Sequence, residues 1–87
     1  MGKYDKLIHK LLSGSSDTNI NFDELCSLLI RLNFKNRIKG SHHIFYRNDI
    51  QEIINIQPNE SKAKAYQVKQ IRNIIIKYKL VQDENEV

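Results

Sequence analysis

Arg37-Ile38-Lys39-Gly40-Ser41-His42-His43-Ile44-Phe45-Tyr46-Arg47 is the stretch from which the rest of the chain can be placed. Gly40-Ser41 is a small-residue break and reads as a tight reversal between two strands. Two adjacent histidines follow it, and imidazole, with a reference pKa of about 6.5, gives and takes protons near neutral pH. The charge around them has one sign: Arg31, Lys35, Arg37, Lys39 and Arg47 are basic, and no acidic residue occurs from Leu25 to Asn48.

Moving outward from the reversal, Phe34 and Ile38 share one strand parity and Lys35, Arg37 and Lys39 the other. That pattern predicts an amphipathic strand with a basic outer face. Beyond the turn, Ile44 and Tyr46 are expected to continue the core face, with His43, Phe45 and Arg47 opposite. Asn48-Asp49 reads as a turn, and Glu52 to Gln57 as a third strand with Ile54 and Ile56 inward and Ile53, Asn55 and Gln57 outward. Pro58-Asn59-Glu60-Ser61 is expected to end the sheet. The expected outer face is therefore Lys35, Arg37, Lys39, His43, Phe45, Arg47, Asn55 and Gln57.

Helices flank this sheet. Tyr4, Leu7, Ile8, Leu11 and Leu12 recur at helical spacing between Lys3 and Leu12, and Gly14 within a polar run ends the segment. A second helix opens at Asn21, a good N-cap, with Glu24 completing a capping-box pattern and Ile20 and Leu25 placed as a hydrophobic staple. Leu25, Leu28, Leu29 and Leu32 form its buried stripe, Cys26 reads as small core filler, and Asn33 closes it in a left-handed conformation. A third helix is predicted from Ala65 to Leu80, packing through Val68, Ile71, Ile74, Ile75 and Tyr78. Lys62 and Lys64 lead into its N-terminus, where free backbone N–H groups favour an anion.

The chain has 87 residues, enough for one thin domain that hides about 60–65% of its unfolded surface. The expected fold class is α+β, with a three-stranded antiparallel sheet covered by helices on one face in the order α-α-β-β-β-α. The domain is expected to span residues 1–80, with 3–12 as a helical extension, 22–80 as the core and 81–87 as an acidic tail carrying Asp83, Glu84 and Glu86. Net charge is +4, and Met1 to Leu80 alone holds 14 basic and 7 acidic residues. Such a field draws a polyanion. No apolar run approaches the roughly 20 residues needed to span a bilayer, and Met1 to Lys10 offers no continuous apolar signal segment. A lone cysteine excludes an internal disulfide and fits the reducing cytoplasm.

Several chemistries compete for the histidines. Adjacent strand residues point to opposite faces, so His42-His43 is a poor chelating pair, and no Cys, Asp or Glu lies nearby in sequence to complete a metal site. Ser41 beside His42 lacks a nucleophile elbow and an obvious orienting carboxylate, which argues against a serine hydrolase. Metal-independent cleavage of RNA asks for less: a base for the ribose 2′-hydroxyl, an acid for the leaving 5′-oxygen, and cations around the phosphorus. Lys35, Arg37, Lys39, Ser41, Arg47, Lys62 and Lys64 are the candidate contacts to the sugar–phosphate chain, and Phe45 the candidate base-stacking residue. Two readings stand beside this one: a module that grips RNA without cutting it, and a protein-interaction domain whose basic sheet docks an acidic partner.

Arg37-Ile38-Lys39-Gly40-Ser41-His42-His43-Ile44-Phe45, preceded by a helix ending Leu32-Asn33-Phe34, resembles the HicA family of bacterial toxins. The similarity spans about Phe22 to Leu80 and takes in the final helix. It implies a double-stranded-RNA-binding-domain-like fold, an endoribonuclease (mRNA interferase) activity on mRNA, and inhibition by a HicB-type antitoxin; from the residues themselves no cofactor or metal is expected. The family's catalytic histidine follows the Gly-Ser or Gly-Gly pair and maps onto His42; His43 is the second candidate, since parity puts it, and not His42, on the basic face. The chain departs from many relatives after Pro58, where Asn59-Glu60-Ser61 replaces a second histidine, and in the added helix at Lys3 to Leu12.

Overall fold

The computed structural model describes residues 3–81; the expected acidic tail, with Asp83, Glu84 and Glu86, lies outside the described residues. Its elements run α1 (Lys3–Ser13), α2 (Phe22–Arg31), β1 (Lys35–Lys39), β2 (His42–Tyr46), β3 (Ile54–Ile56), β4 (Pro58–Asn59), β5 (Lys62–Ala63) and α3 (Ala65–Tyr78). The first three strands form an antiparallel sheet ordered β1-β2-β3, so the arrangement is the expected α-α-β-β-β-α. A second, two-stranded sheet of β4 and β5 was not foreseen.

Local signals account for the ends of α2. Asn21 Oδ1 accepts the Glu24 N–H at 2.9 Å, and the staple residues Ile20 and Leu25 are both buried. At the other end Asn33 takes φ +71, Phe34 N–H reaches the Leu29 carbonyl and Asn33 N–H that of Ile30. That is a Schellman closure, and it aims Phe34 into the core. The same pair of bonds, from Leu80 to Ile75 and from Lys79 to Ile76, ends α3 at Tyr78, two residues short of the expected end.

The core is continuous from the helices to one face of the sheet: Leu7 and Leu11, Leu25, Leu28 and Leu29, Phe45, Ile54 and Ile56, Val68, Ile71 and Ile75 are all buried. The α1 extension belongs to it. Arg72 of α3 donates to the Leu11 carbonyl at 3.4 Å and to Asp17 Oδ1 at 2.8 Å, satisfying a carbonyl at the end of α1. Arg31 lies over the Tyr4 ring at 4.8 Å.

The hairpin corrects the expected faces of β2. Gly40 has φ +62 and Ser41 has no positive φ, the φ pattern of a type II′ turn. Such a two-residue loop pairs Lys39 with His42, then Ile38 with His43, Arg37 with Ile44 and Lys35 with Tyr46. Directly paired residues share a face, so the even positions of β2 join the odd positions of β1. Phe45, expected outside, is wholly buried beside Ile54 and cannot stack on a base. Ile44 and Tyr46, expected in the core, lie on the opposite face. Ile38 does share the helix side, but β1 is an edge strand whose residues are all exposed, and Ile38 is 60% exposed.

Candidate functional site

The open face of the sheet is built from alternate residues of its three strands. Lys35, Arg37 and Lys39 come from β1, His42, Ile44 and Tyr46 from β2, and Asn55 from β3. Lys39 sits directly across from His42, and Arg37 one rung further along. Among the described residues these three cations form no ion pair, so the face keeps its positive charge for a solvent-side partner.

His42 is exposed, and its Nδ1 lies 3.1 Å from Asn55 Oδ1. Ser41, in the turn, donates from Oγ to Gln57 Oε1 at 3.5 Å. These two contacts hold the start of β2 against β3. The Gln57 backbone faces the buried Gln67 side chain, whose amide, oriented so that both of its ends find a partner, donates to the Gln57 carbonyl at 3.3 Å and accepts its N–H at 3.2 Å. Uncharged amides thus carry the position of the hairpin tip back to α3.

His43 is placed differently. It points to the helix side, half-buried, with its ring edge-on to Phe22 at 5.0 Å between centroids. The two candidate histidines are separated by the sheet itself, and the one on the basic face is His42.

Arg47 is drawn away from the open face. Its Nε and Nη2 donate to Asp49 at 2.9 and 2.7 Å, its Nη1 donates to the Leu32 carbonyl at 2.8 Å, and its guanidinium lies 5.6 Å from the Phe34 ring. It fastens the loop after β2 to the end of α2. Lys62 sits on β5, bridged to Asn21, and Lys64 is the N-cap of α3; both are off the three-stranded sheet. Cys26 is half-buried against the core, and burial, reinforced by Asp23, pushes its thiol up to about 11, against any role as a thiolate nucleophile. Among the described residues no three His, Cys, Asp or Glu side chains gather as a metal site.

Tyr46 is the residue that the sequence reading missed. It is the aromatic on the open face, opposite Lys35. A usable signal existed: a two-residue loop at Gly40-Ser41 makes Lys39 and His42 partners, from which every later face follows by alternation.

The molecule is thus a small α+β domain whose sheet carries an exposed histidine on a cationic open face. Residues 22–78 match the family described as "HicA toxin of bacterial toxin-antitoxin". The chain belongs to that family, and is the toxin of a toxin–antitoxin system with an antitoxin as its partner. Neither the curated proteins nor the solved structures give a match. No helix among the described residues is long and apolar enough to cross a membrane.

Proposed function

We propose that this toxin is a metal-independent endoribonuclease that cleaves mRNA, with His42 as its general acid–base group. The observation that carries the reading is the exposed His42 ring on the same sheet face as Lys35, Arg37 and Lys39. An RNA strand lying along β1 puts its phosphates on those cations and a ribose–phosphate linkage beside the imidazole. His42 takes the 2′-hydroxyl proton, and the 2′-oxygen attacks the adjacent phosphorus. The bond from phosphorus to the 5′-oxygen breaks, that oxygen takes the proton back from the His42 imidazolium, and a 2′,3′-cyclic phosphate remains. Lys39 and Arg37 stabilise the extra negative charge of the phosphorane. Tyr46 offers the aromatic ring for a stacked base. Lys62 and Lys64, off this face, add to the attracting field.

The antitoxin is of the HicB type and silences the enzyme by laying an acidic surface over the basic sheet. An mRNA substrate makes the cytoplasm the place of action.

The test is cleavage of RNA in EDTA by the wild type and by His42→Ala and His43→Ala variants. The wild type cleaves, His42→Ala loses about 10²–10⁴-fold in rate, and His43→Ala, where it folds, keeps most of the activity. A fully active His42→Ala enzyme refutes the assignment, loss of wild-type cleavage in EDTA refutes metal independence, and RNA bound but recovered intact makes the chain a non-catalytic RNA-binding module.

A further inference from the structure

We propose that Asn55 is a positioning residue for His42, holding its imidazole in the tautomer that leaves Nε2 free to act on RNA. The inference rests on His42 being the catalytic group. Its warrant is the 3.1 Å contact between His42 Nδ1 and Asn55 Oδ1. An amide oxygen can only accept, so Nδ1 carries the proton. A neutral imidazole has one N–H, and Nε2 is then the lone-pair atom that serves as base.

The partner is well placed to do this. Asn55 stands between Ile54 and Ile56, both wholly buried, so its backbone is locked into the core while its side chain faces outward. It pairs with Ile44, which makes His42 its diagonal neighbour across the β2–β3 rung, a separation that side chains can bridge. Among the described residues Asn55 is the hydrogen-bond partner of the His42 ring, and every residue from Lys35 to His42 is exposed. An exposed ring with two free torsions samples many orientations, and one fixed acceptor removes most of them.

The chemical type of the partner also fits the substrate. A carboxylate at this position would orient the ring equally well and stabilise its protonated form more strongly. It would also place a negative charge beside Lys39 and Arg37, on the face that must attract phosphate. A neutral amide orients the ring and leaves the field intact. The charged groups on this face are Lys35, Arg37 and Lys39.

The experiment compares wild type with Asn55→Ala, Asn55→Asp and His42→Ala in the full chain. It uses a short single-stranded RNA for kinetics, and ¹⁵N-resolved NMR of the histidine rings for the tautomer. Asn55→Ala is expected to lower kcat roughly tenfold to a hundredfold, with KM little changed and the fold retained. Its His42 tautomer shifts away from the Nδ1–H form that the wild type shows. Asn55→Asp moves the acid limb of the pH–rate profile to higher pH and weakens RNA binding at low salt. A wild-type His42 in the Nε2–H tautomer, or an Asn55→Ala enzyme with unchanged kcat and pH profile beside an inactive His42→Ala, overturns the role of Asn55. An active His42→Ala enzyme instead overturns the catalytic reading, and the tautomer measurement still decides whether Asn55 orients the ring.

Discussion

Two hairpins in this molecule turn through the same backbone device with different residues. β1–β2 reverses at Gly40-Ser41 with φ +62 at its first loop residue, and β4–β5 reverses at Glu60-Ser61 with φ +60 at its own. Glycine takes that conformation freely, whereas a side chain there costs about 1–2 kcal/mol. The first hairpin is therefore specified by its own residues, and it stands out from the body with every residue from Lys35 to His42 exposed. The second is held from outside: Phe22 N–H bonds the Ser61 carbonyl at 3.0 Å, Ala63 N–H bonds the Ile20 carbonyl at 2.9 Å, and Asn21 bridges Lys62. Contacts from the start of α2 hold Glu60 where its own preference would not. The free hairpin presents His42 and the cations of the open face, and the bound one closes the core beside it.

The largest test of this contrast bears on the phase that the first turn imposes. Phe45→Ala is expected to destabilise by about 3–5 kcal/mol, while Tyr46→Ala stays within about 1 kcal/mol. Chemical denaturation of both variants reads this directly, and equal losses would mean that the register across Gly40-Ser41 is wrong.

Reciprocal changes at the two turns come next. Gly40→Ala meets no atom within 4 Å but inherits φ +62, and should lose about 1 kcal/mol. Glu60→Gly should gain roughly 0.5 kcal/mol, a rise of a few degrees in Tm. A Glu60→Gly variant that melts earlier would show that the glutamate side chain makes a contact worth more than its backbone strain.

The smallest effect lies in the loop between β2 and β3, where Glu52 accepts from Tyr78 Oη and from Lys77 Nζ, the latter at 3.0 Å. The Tyr78 hydroxyl first, then Lys77, lowers its carboxyl below the ordinary value of 4.5. A lowered carboxylate contributes stability above its unfolded-state value and loses it as pH falls through the folded-state value. Glu52→Gln should therefore be slightly less stable than the wild type at neutral pH and converge with it below about pH 4.5, which flattens the acid limb of the stability profile. An unchanged acid limb would show that this bond does not outlast competition from water.

Much of the fold was legible because the signals are local. Asn21 and Glu24 start α2, Asn33 ends it, and the leucine and isoleucine stripes of α2 and α3 name their buried faces without any knowledge of partners. What failed was counting across a turn. Alternation within β2 was visible, but its phase relative to β1 was carried over as if the loop held an odd number of residues. That exchanged Phe45 for Tyr46 and His43 for His42. Arg47 was assigned to phosphate because its charge matched its neighbours; the Asp49 fork and the Leu32 carbonyl that engage it are set by how the loop folds back on α2.

By itself, the chain determined its helices and their caps, the turn at Gly40-Ser41, the cationic edge strand, and a histidine placed directly after the reversal. These depend on torsional preference and on residues a few positions apart. Tertiary structure alone decided that Asn55 meets His42, that Arg47 serves the loop, and that Glu60 turns with a left-handed backbone. Each of those joins segments distant along the chain, or holds a residue against its own preference, and only the packed core supplies the free energy to do either.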